Sequence, residues 1–335
     1  MSDVLVRARD LRVHFPLGGG VLSRSSAQVR AVDGVELEIR RGETLGLVGE
    51  SGCGKSTLGR ALVRLVRPTG GSVEFDGTDV ARLPRRGRGR GDGSGRDGRG
   101  ALAREMQIVF QDPVGSLNPR MKVGAIVAEG LASNRIGTRA SRRELVVEML
   151  ERVGLGSDAV DRYPHEFSGG QRQRIVIARA LAVGARFVVA DEPVSALDVS
   201  VQSQVLNLFV RLKRELDLTY VFVAHDLAVV GYVSDRIAVM YLGKIVELGP
   251  AQALISAPRH PYTRALLSAV PQARVGARRE RTALTGDVPN PIDPPSGCRF
   301  RTRCPMAAAI CAEQEPPLRT HGDGHLAACH FAEAV

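Results

Sequence analysis

Gly49-Glu50-Ser51-Gly52-Cys53-Gly54-Lys55-Ser56-Thr57 follows an apolar run, Thr44 to Val48, and opens a stretch with helical character, Ser56 to Val66. The nine residues fit G-x-x-x-x-G-K-[ST], and a strand before with a helix after is the context that gives the pattern its meaning. Glycines at these places let backbone N–H groups turn inward around a phosphate, where the helix N-terminus adds its partial positive charge. Lys55 then reaches the β- and γ-phosphates of a nucleotide and Ser56 a magnesium ion. Cys53 reads as a small tolerated side chain, with the helix N-terminus able to lower its thiol pKa.

A second element of the same chemistry lies at Phe187-Val188-Val189-Ala190-Asp191-Glu192, a buried strand that ends in two acids. Asp191 suits magnesium coordination, directly or through water, and Glu192 suits orienting and deprotonating an attacking water. Around these, Leu11 to Phe15, Val35 to Ile39, Ser72 to Phe75 and Gln107 to Phe110 read as strands, with Tyr220 to Ala224 later. Ile237 to Tyr241 and Lys244 to Leu248 read as a hairpin with a Leu242-Gly243 turn. Between about 112 and 186 strands give way to helical spacing, Val123 to Ala132 and Arg142 to Val153, with Ser141 and Glu144 at capping-box distance. The pattern predicts an α/β sheet domain over 1–260 interrupted by a helical subdomain at about 112–186. A smaller domain at 261–335, rich in proline and cysteine, follows it.

The chain has 335 residues and no run of 18 apolar residues, so no membrane span is expected, and its acidic, polar start lacks a secretory pattern. Its net charge is +10, of which the Gly/Arg stretch 85–100 contributes +4, and that stretch reads as a flexible surface loop. With 14 aromatics and no tryptophan there is no basic-aromatic platform for stacking bases, and nucleic acid is not an expected partner.

Phe167-Ser168-Gly169-Gly170-Gln171 resembles the LSGGQ signature of ABC transporter ATP-binding subunits, with Phe in place of Leu. The resemblance implies a P-loop NTPase domain of ABC type that binds ATP and Mg2+. It also implies a head-to-tail pair in which Ser168, Gly169, Gly170 and Gln171 face the nucleotide of a second ATPase subunit. It assigns Gln111 to the Q-loop and to magnesium or the attacking water. It assigns Asp198, in Ser195-Ala196-Leu197-Asp198, to the D-loop, His225 to the switch histidine, and Phe15 to adenine stacking. Glu192, His225, Gln111 and Lys55 are then the catalytic set, and Ser56, Gln111 and Asp191 the magnesium set.

Cys298, Cys304, Cys311 and Cys329 fall in the last 38 residues. A reducing compartment argues against disulfides, and the spacing alone leaves zinc, an iron–sulfur cluster and plain buried thiols open, with His321, His325 and His330 as further zinc donors. His260-Pro261-Tyr262-Thr263-Arg264-Ala265-Leu266 and Gly297-Cys298-Arg299-Phe300 resemble the C-terminal region of dipeptide and oligopeptide importer ATPases. That resemblance implies a [4Fe–4S] cluster on the four cysteines, two transmembrane permease subunits as partners and, indirectly, an extracytoplasmic solute-binding protein. It places the chain at the cytoplasmic face of the membrane. Nickel, glutathione or another small solute as cargo, and a soluble ABC ATPase of repair or translation, are the competing expectations.

Overall fold

The computed structural model describes residues 3–17, 27–80, 102, 104–269, 286–322 and 324–335. The 85–100 stretch lies outside them. The chain divides into two compact units, one within Met1–Arg82 and Val223–Val335, the other within Leu83–Phe222.

In the first unit, β1 (Val4–Pro16) and β2 (Gln28–Arg40) form an antiparallel ribbon in which buried and exposed residues largely alternate. β1 also pairs with β4 (Gly70–Phe75), which pairs with β5 (Thr78–Asp79), giving a four-stranded sheet in the order β2-β1-β4-β5. These strands are longer than the short apolar runs foretell. Register shifts near Asp10 and between Val13 and His14 interrupt the alternation, so the sequence period breaks where the ribbon itself continues. β3 (Thr44–Val48) is buried at all five positions, and α1 (Lys55–Leu62) follows the loop between them. The helix stops four residues short of the expected Val66, because Arg64 takes a left-handed φ of 60° and the Leu65 and Val66 amides turn back to the Arg60 carbonyl.

The second unit opens with β6 (Met106–Val109), followed by α2 (Pro113–Ser116), α3 (Val123–Ser133), α4 (Arg139–Arg152) and α5 (Gly169–Leu181). Among the described residues no strand intervenes before β7 (Phe187–Asp191), which runs parallel to β6 and is buried throughout. The expected cap of α4 needs correction: Thr138 is the N-cap, and Ser141, three residues on, completes its capping box. Both hydroxyls satisfy this box at the 138/141 spacing, which leaves Ser141 inside the first turn.

α6 (Val199–Leu216) packs Phe209 edge-on against Tyr220 and Phe222, with ring centroids 5.4 and 5.5 Å apart. Those two rings stand two residues apart on β8 (Thr219–Ala224), hence on one face of that strand. Each such aromatic pair contributes about 0.5–1.5 kcal/mol beyond the area it buries.

The chain re-enters the first unit through α7 (Leu227–Val233), β9 (Arg236–Tyr241) and β10 (Lys244–Pro250). Leu242 and Gly243 join the last two strands with φ of 43° and 82°, the positive pair that a tight hairpin turn requires. β9 runs parallel to β3. α8 (Ala251–Ser256), α9 (Pro261–Ala269), α10 (Ala309–Glu313), β11 (Arg319–Thr320) and β12 (Leu326–Ala327) complete the chain, with β12 pairing on β10.

Candidate functional site

The loop between β3 and α1 is held by its own backbone. Lys55, 4% exposed, donates from Nζ to the carbonyls of Gly49 (2.7 Å) and Glu50 (2.9 Å). Gly54 sits at φ 107°, and a Cβ there would stand 2.0 Å from the Ala31 carbonyl oxygen, so glycine is demanded by space as well as by backbone angle. Ser56 and Thr57 are half-buried at the helix start, and Ser51 and Gly52 are exposed at the loop's outer edge. The result is a glycine-bearing loop at a helix N-terminus with a buried ammonium behind it, which suits a polyphosphate. Cys53 is a small packed side chain, as expected, and burial pushes its thiol pKa up, outweighing the Lys55 charge that lowers it, so the helix N-terminus does not make it a thiolate.

Also in the first unit, Phe15 is 42% exposed at the end of β1, a ring available for stacking. His225 is exposed, directly after β8, and Asp226 beside it caps α7 by accepting from the Ala228 N–H.

In the second unit, Asp191 is the buried last residue of β7, and Glu192 follows in the left-handed region at φ 48°. That conformation is costly for a non-glycine residue and is characteristic of functional turns. The Ser195 hydroxyl and N–H both bond the Glu192 carbonyl, at 3.1 and 3.3 Å, and fix the turn from its C-terminal side. Gln111 is exposed just after β6, next to Asp112, which caps α2. Asp198 is exposed at the N-cap of α6.

Ser168 caps α5, accepting from the Gln171 N–H at 3.3 Å while the Gln171 side chain accepts from the Ser168 N–H at 3.0 Å. Ser168, Gly169 and Gln171 are exposed, whereas Gly170 is buried, and a Cβ on Gly170 would meet Val201 at 2.4 Å. The two glycines therefore differ: Gly170 permits α5 to approach α6, and Gly169 leaves the helix entrance open. Phe167, the departure from LSGGQ, is buried with the Arg162 guanidinium 4.3 Å above its ring.

The structure adds residues that motif spacing does not reveal. Arg303 grips the Glu50 carboxylate with both terminal nitrogens, at 2.6 and 3.0 Å, and Tyr262 Oη accepts from the Glu50 N–H at 2.7 Å. Arg299 donates to the Leu242 carbonyl at 2.6 Å and pairs with Asp33, whose carboxyl it holds below the usual range against the opposing effect of burial. Tyr262 stands in a quoted motif, but nothing in that motif says what it touches.

The four C-terminal thiols are neighbours: burial first, and then the charges of Cys311, Cys304 and Cys329, push Cys298 up to about 11. Among the described residues, however, no group of three or more His, Cys, Asp or Glu side chains is placed to hold a metal ion. The expected metal centre therefore has no arranged donor set among the described residues, and burial raises the thiol pKa of Cys298, Cys304 and Cys329, which disfavours the thiolate form that binds a metal. The three histidines offered as zinc donors have other partners: His325 Nε2 meets buried Glu247 at 2.7 Å, His321 Nδ1 meets Glu333 at 2.7 Å, and His330 Nε2 meets the Gln314 carbonyl at 3.1 Å.

Residues 32–195 match the ABC transporter family model, and residues 246–311 match the C-terminal region of oligopeptide/dipeptide transporters. The oligopeptide transport ATP-binding protein AppF of Bacillus subtilis is 48% identical over 98% of each chain. Among solved structures, cbiO1 of Clostridium perfringens, part of the transporter complex cbiONQ, is 27% identical over 76% of this chain and 92% of its own, with a TM-score of 0.63. The dimeric bacterial ABC transporter cassette MJ0796 is 26% identical over 74% of this chain and 99% of its own, with a TM-score of 0.62. The ABC-type P-loop fold expected from the motifs is thus the fold found, and the chain belongs to the ABC transporter ATP-binding family, in the branch carrying the oligopeptide/dipeptide transporter C-terminal region.

Proposed function

We infer that this chain is the ATP-hydrolysing, energy-coupling subunit of a binding-protein-dependent importer of di- or oligopeptides. The observation that carries the reading is the pairing, in one chain, of a phosphate loop satisfied from within and a capped signature turn left open to solvent. The oligopeptide-type C-terminal region supports peptides over nickel, glutathione or a soluble ATPase role. The domain reading goes with it: an ATPase domain over 1–260, its helical subdomain at about 112–186, and a C-terminal domain over 261–335.

In this mechanism Lys55 and the loop amides bind the phosphates of ATP. Ser56, Gln111 and Asp191 are the residues that would hold magnesium, which would neutralise phosphate charge. Glu192 takes a proton from the attacking water, His225 contacts the γ-phosphate, and Phe15 stacks on adenine. Ser168 to Gln171 complete the site of a second ATPase subunit, with Asp198 meeting its counterpart. Product release separates the pair.

Phe110 and Val114, exposed large apolar side chains on either side of Gln111, support docking on permease subunits. Val114 also lines a groove of about 470 Å³, together with Leu117, Met121 and Ile126 among others. No described helix is long and apolar enough to cross a membrane. In this reading the chain sits at the cytoplasmic face, attached through the permease subunits. A [4Fe–4S] cluster or zinc at the four cysteines rests on the proximity of the thiols alone. Anaerobic purification followed by iron, sulfide and zinc analysis decides it, and a metal-free, folded chain removes it.

The deciding experiment is purification from native membranes in mild detergent, with identification of the bound proteins. Two polytopic membrane proteins are expected, with or without a second ATPase, together with peptide-stimulated ATPase activity after reconstitution with the binding protein. Capture of soluble proteins alone would overturn the reading.

A further inference from the structure

Glu50, the second residue of the phosphate loop, is held at three points. Its carbonyl accepts from Lys55 Nζ at 2.9 Å and from the Cys53 N–H at 3.3 Å. Its N–H donates to Tyr262 Oη, and its carboxylate receives both arms of Arg303. The first grip is local, whereas the other two come from residues 212 and 253 positions away in the C-terminal region. Arg303 is 6% exposed at its side chain, lies 5.9 Å from the Tyr241 ring, and rests on a group of buried rings. Tyr241 stands 4.7 Å from Tyr262 and 5.2 Å from Phe300, all of them at most 1% exposed. The same segment reaches the loop a second way: Arg299 holds the Leu242 carbonyl, and the next residue, Gly243, donates to the Cys53 carbonyl at 2.9 Å.

A carboxylate inside a loop that must accept a polyanion is an electrostatic obstacle, because like charges in a partly desolvated site repel strongly. The bidentate guanidinium cancels that charge and fixes the side chain with fork geometry that an ammonium cannot reproduce. Tyr262 meanwhile takes the Glu50 N–H, so the peptide that presents its carbonyl to Lys55 is anchored from the far side. We propose that Arg303, with Tyr262, is a positioning residue for ATP binding: the C-terminal region neutralises and orients Glu50 and thereby sets the nucleotide affinity of the phosphate loop. The proposal rests on the reading of Gly49–Thr57 as that loop and goes beyond it, since it gives the C-terminal region a role at the nucleotide.

The test is equilibrium binding of a fluorescent ATP analogue to the purified full chain, with thermal melting as a control for folding. Arg303→Met should weaken binding about tenfold by leaving the Glu50 charge uncancelled. Adding Glu50→Gln should bring affinity back to within about threefold of wild type, a recovery that loss of packing would not show. Arg303→Lys should fall between, about threefold weaker, and serves if Arg303→Met does not fold. A folded Arg303→Met or Arg303→Lys chain with wild-type affinity overturns the proposal. So does a loss that Glu50→Gln fails to relieve. Lys55→Ala separates the two levels: if it still binds the analogue, the loop assignment itself fails, whereas its loss of binding beside an unaffected Arg303→Met removes this inference alone.

Discussion

The Gly49–Thr57 loop and the Ser168–Gln171 turn are both glycine-bearing entrances to helices, yet they are finished in opposite ways. The first buries its lysine against two loop carbonyls and is braced by Tyr262 and Arg303 from more than 200 residues away. The second is closed by a reciprocal cap between two of its own residues and presents Ser168, Gly169 and Gln171 to solvent. A site that keeps its ligand within one chain is built by long-range support. Under the proposed function the second turn faces a neighbour's nucleotide, for which a local cap and an open face are what is needed.

This contrast is broken most severely at Lys55. Lys55→Ala removes the buried ammonium behind the loop, and turnover should fall about a thousandfold with loss of nucleotide binding. Retention of either would dissolve the distinction, because the loop would no longer be the self-contained half. Glu192→Gln should reduce turnover about a hundredfold while nucleotide still binds and a nucleotide-linked pair of chains accumulates on size-exclusion chromatography. Equal rates would remove the base role and with it the function of the strained turn at φ 48°.

Ser168→Ala tests the open half. It deletes a helix cap, about 1 kcal/mol of local stability, and one hydrogen bond toward a phosphate, about tenfold in turnover. Nucleotide affinity of the single chain at low concentration should match that of wild type, as binding there is set by the loop. A parallel loss of single-chain affinity would show that the two halves are not separable.

Sequence alone reaches the self-contained half in large part. Thr44 to Val48 is a strand with the bounds the pattern indicates, and the Leu242-Gly243 turn follows from its composition. Local chemistry dictates both. α1 is shorter than its apolar spacing suggests because a single left-handed residue, Arg64, ends it. Thr138 displaces Ser141 as a cap because two hydroxyls satisfy one box and periodicity cannot choose between them. The Arg303–Glu50 pair stays hidden for a different reason: no spacing rule connects residues 253 apart, and an arginine beside a cysteine cluster reads as solvated charge until the fold brings a carboxylate to it. The thiols show the reverse, since four cysteines in 38 residues suggest a ligand set and the fold gathers them without arranging three donors for an ion.

The last expected effect sharpens the contrast through acid. His260 is fully enclosed, its Nδ1 accepting from the Tyr262 N–H at 3.1 Å, and burial lowers its pKa to about 3. In the unfolded chain the ring titrates near 6.5, so between these values the unfolded state binds a proton that the folded state refuses. Stability therefore falls as pH drops below about 6.5, by at most about 1.4 kcal/mol per pH unit for this group, and is unaffected above it. His260→Asn keeps an acceptor at the start of α9, where asparagine is a good cap, and removes the titration. Urea unfolding at pH 7, 6 and 5 should give a shallower acid slope for His260→Asn than for wild type. Because His260 orients Tyr262, whose hydroxyl holds Glu50, that difference belongs to the braced half of the chain. The Ser168–Gln171 cap contains no group that titrates in this range, so a Ser168→Ala chain should keep the wild-type slope. Parallel slopes for wild type and His260→Asn would place the acid sensitivity elsewhere and remove His260 from the support of the loop.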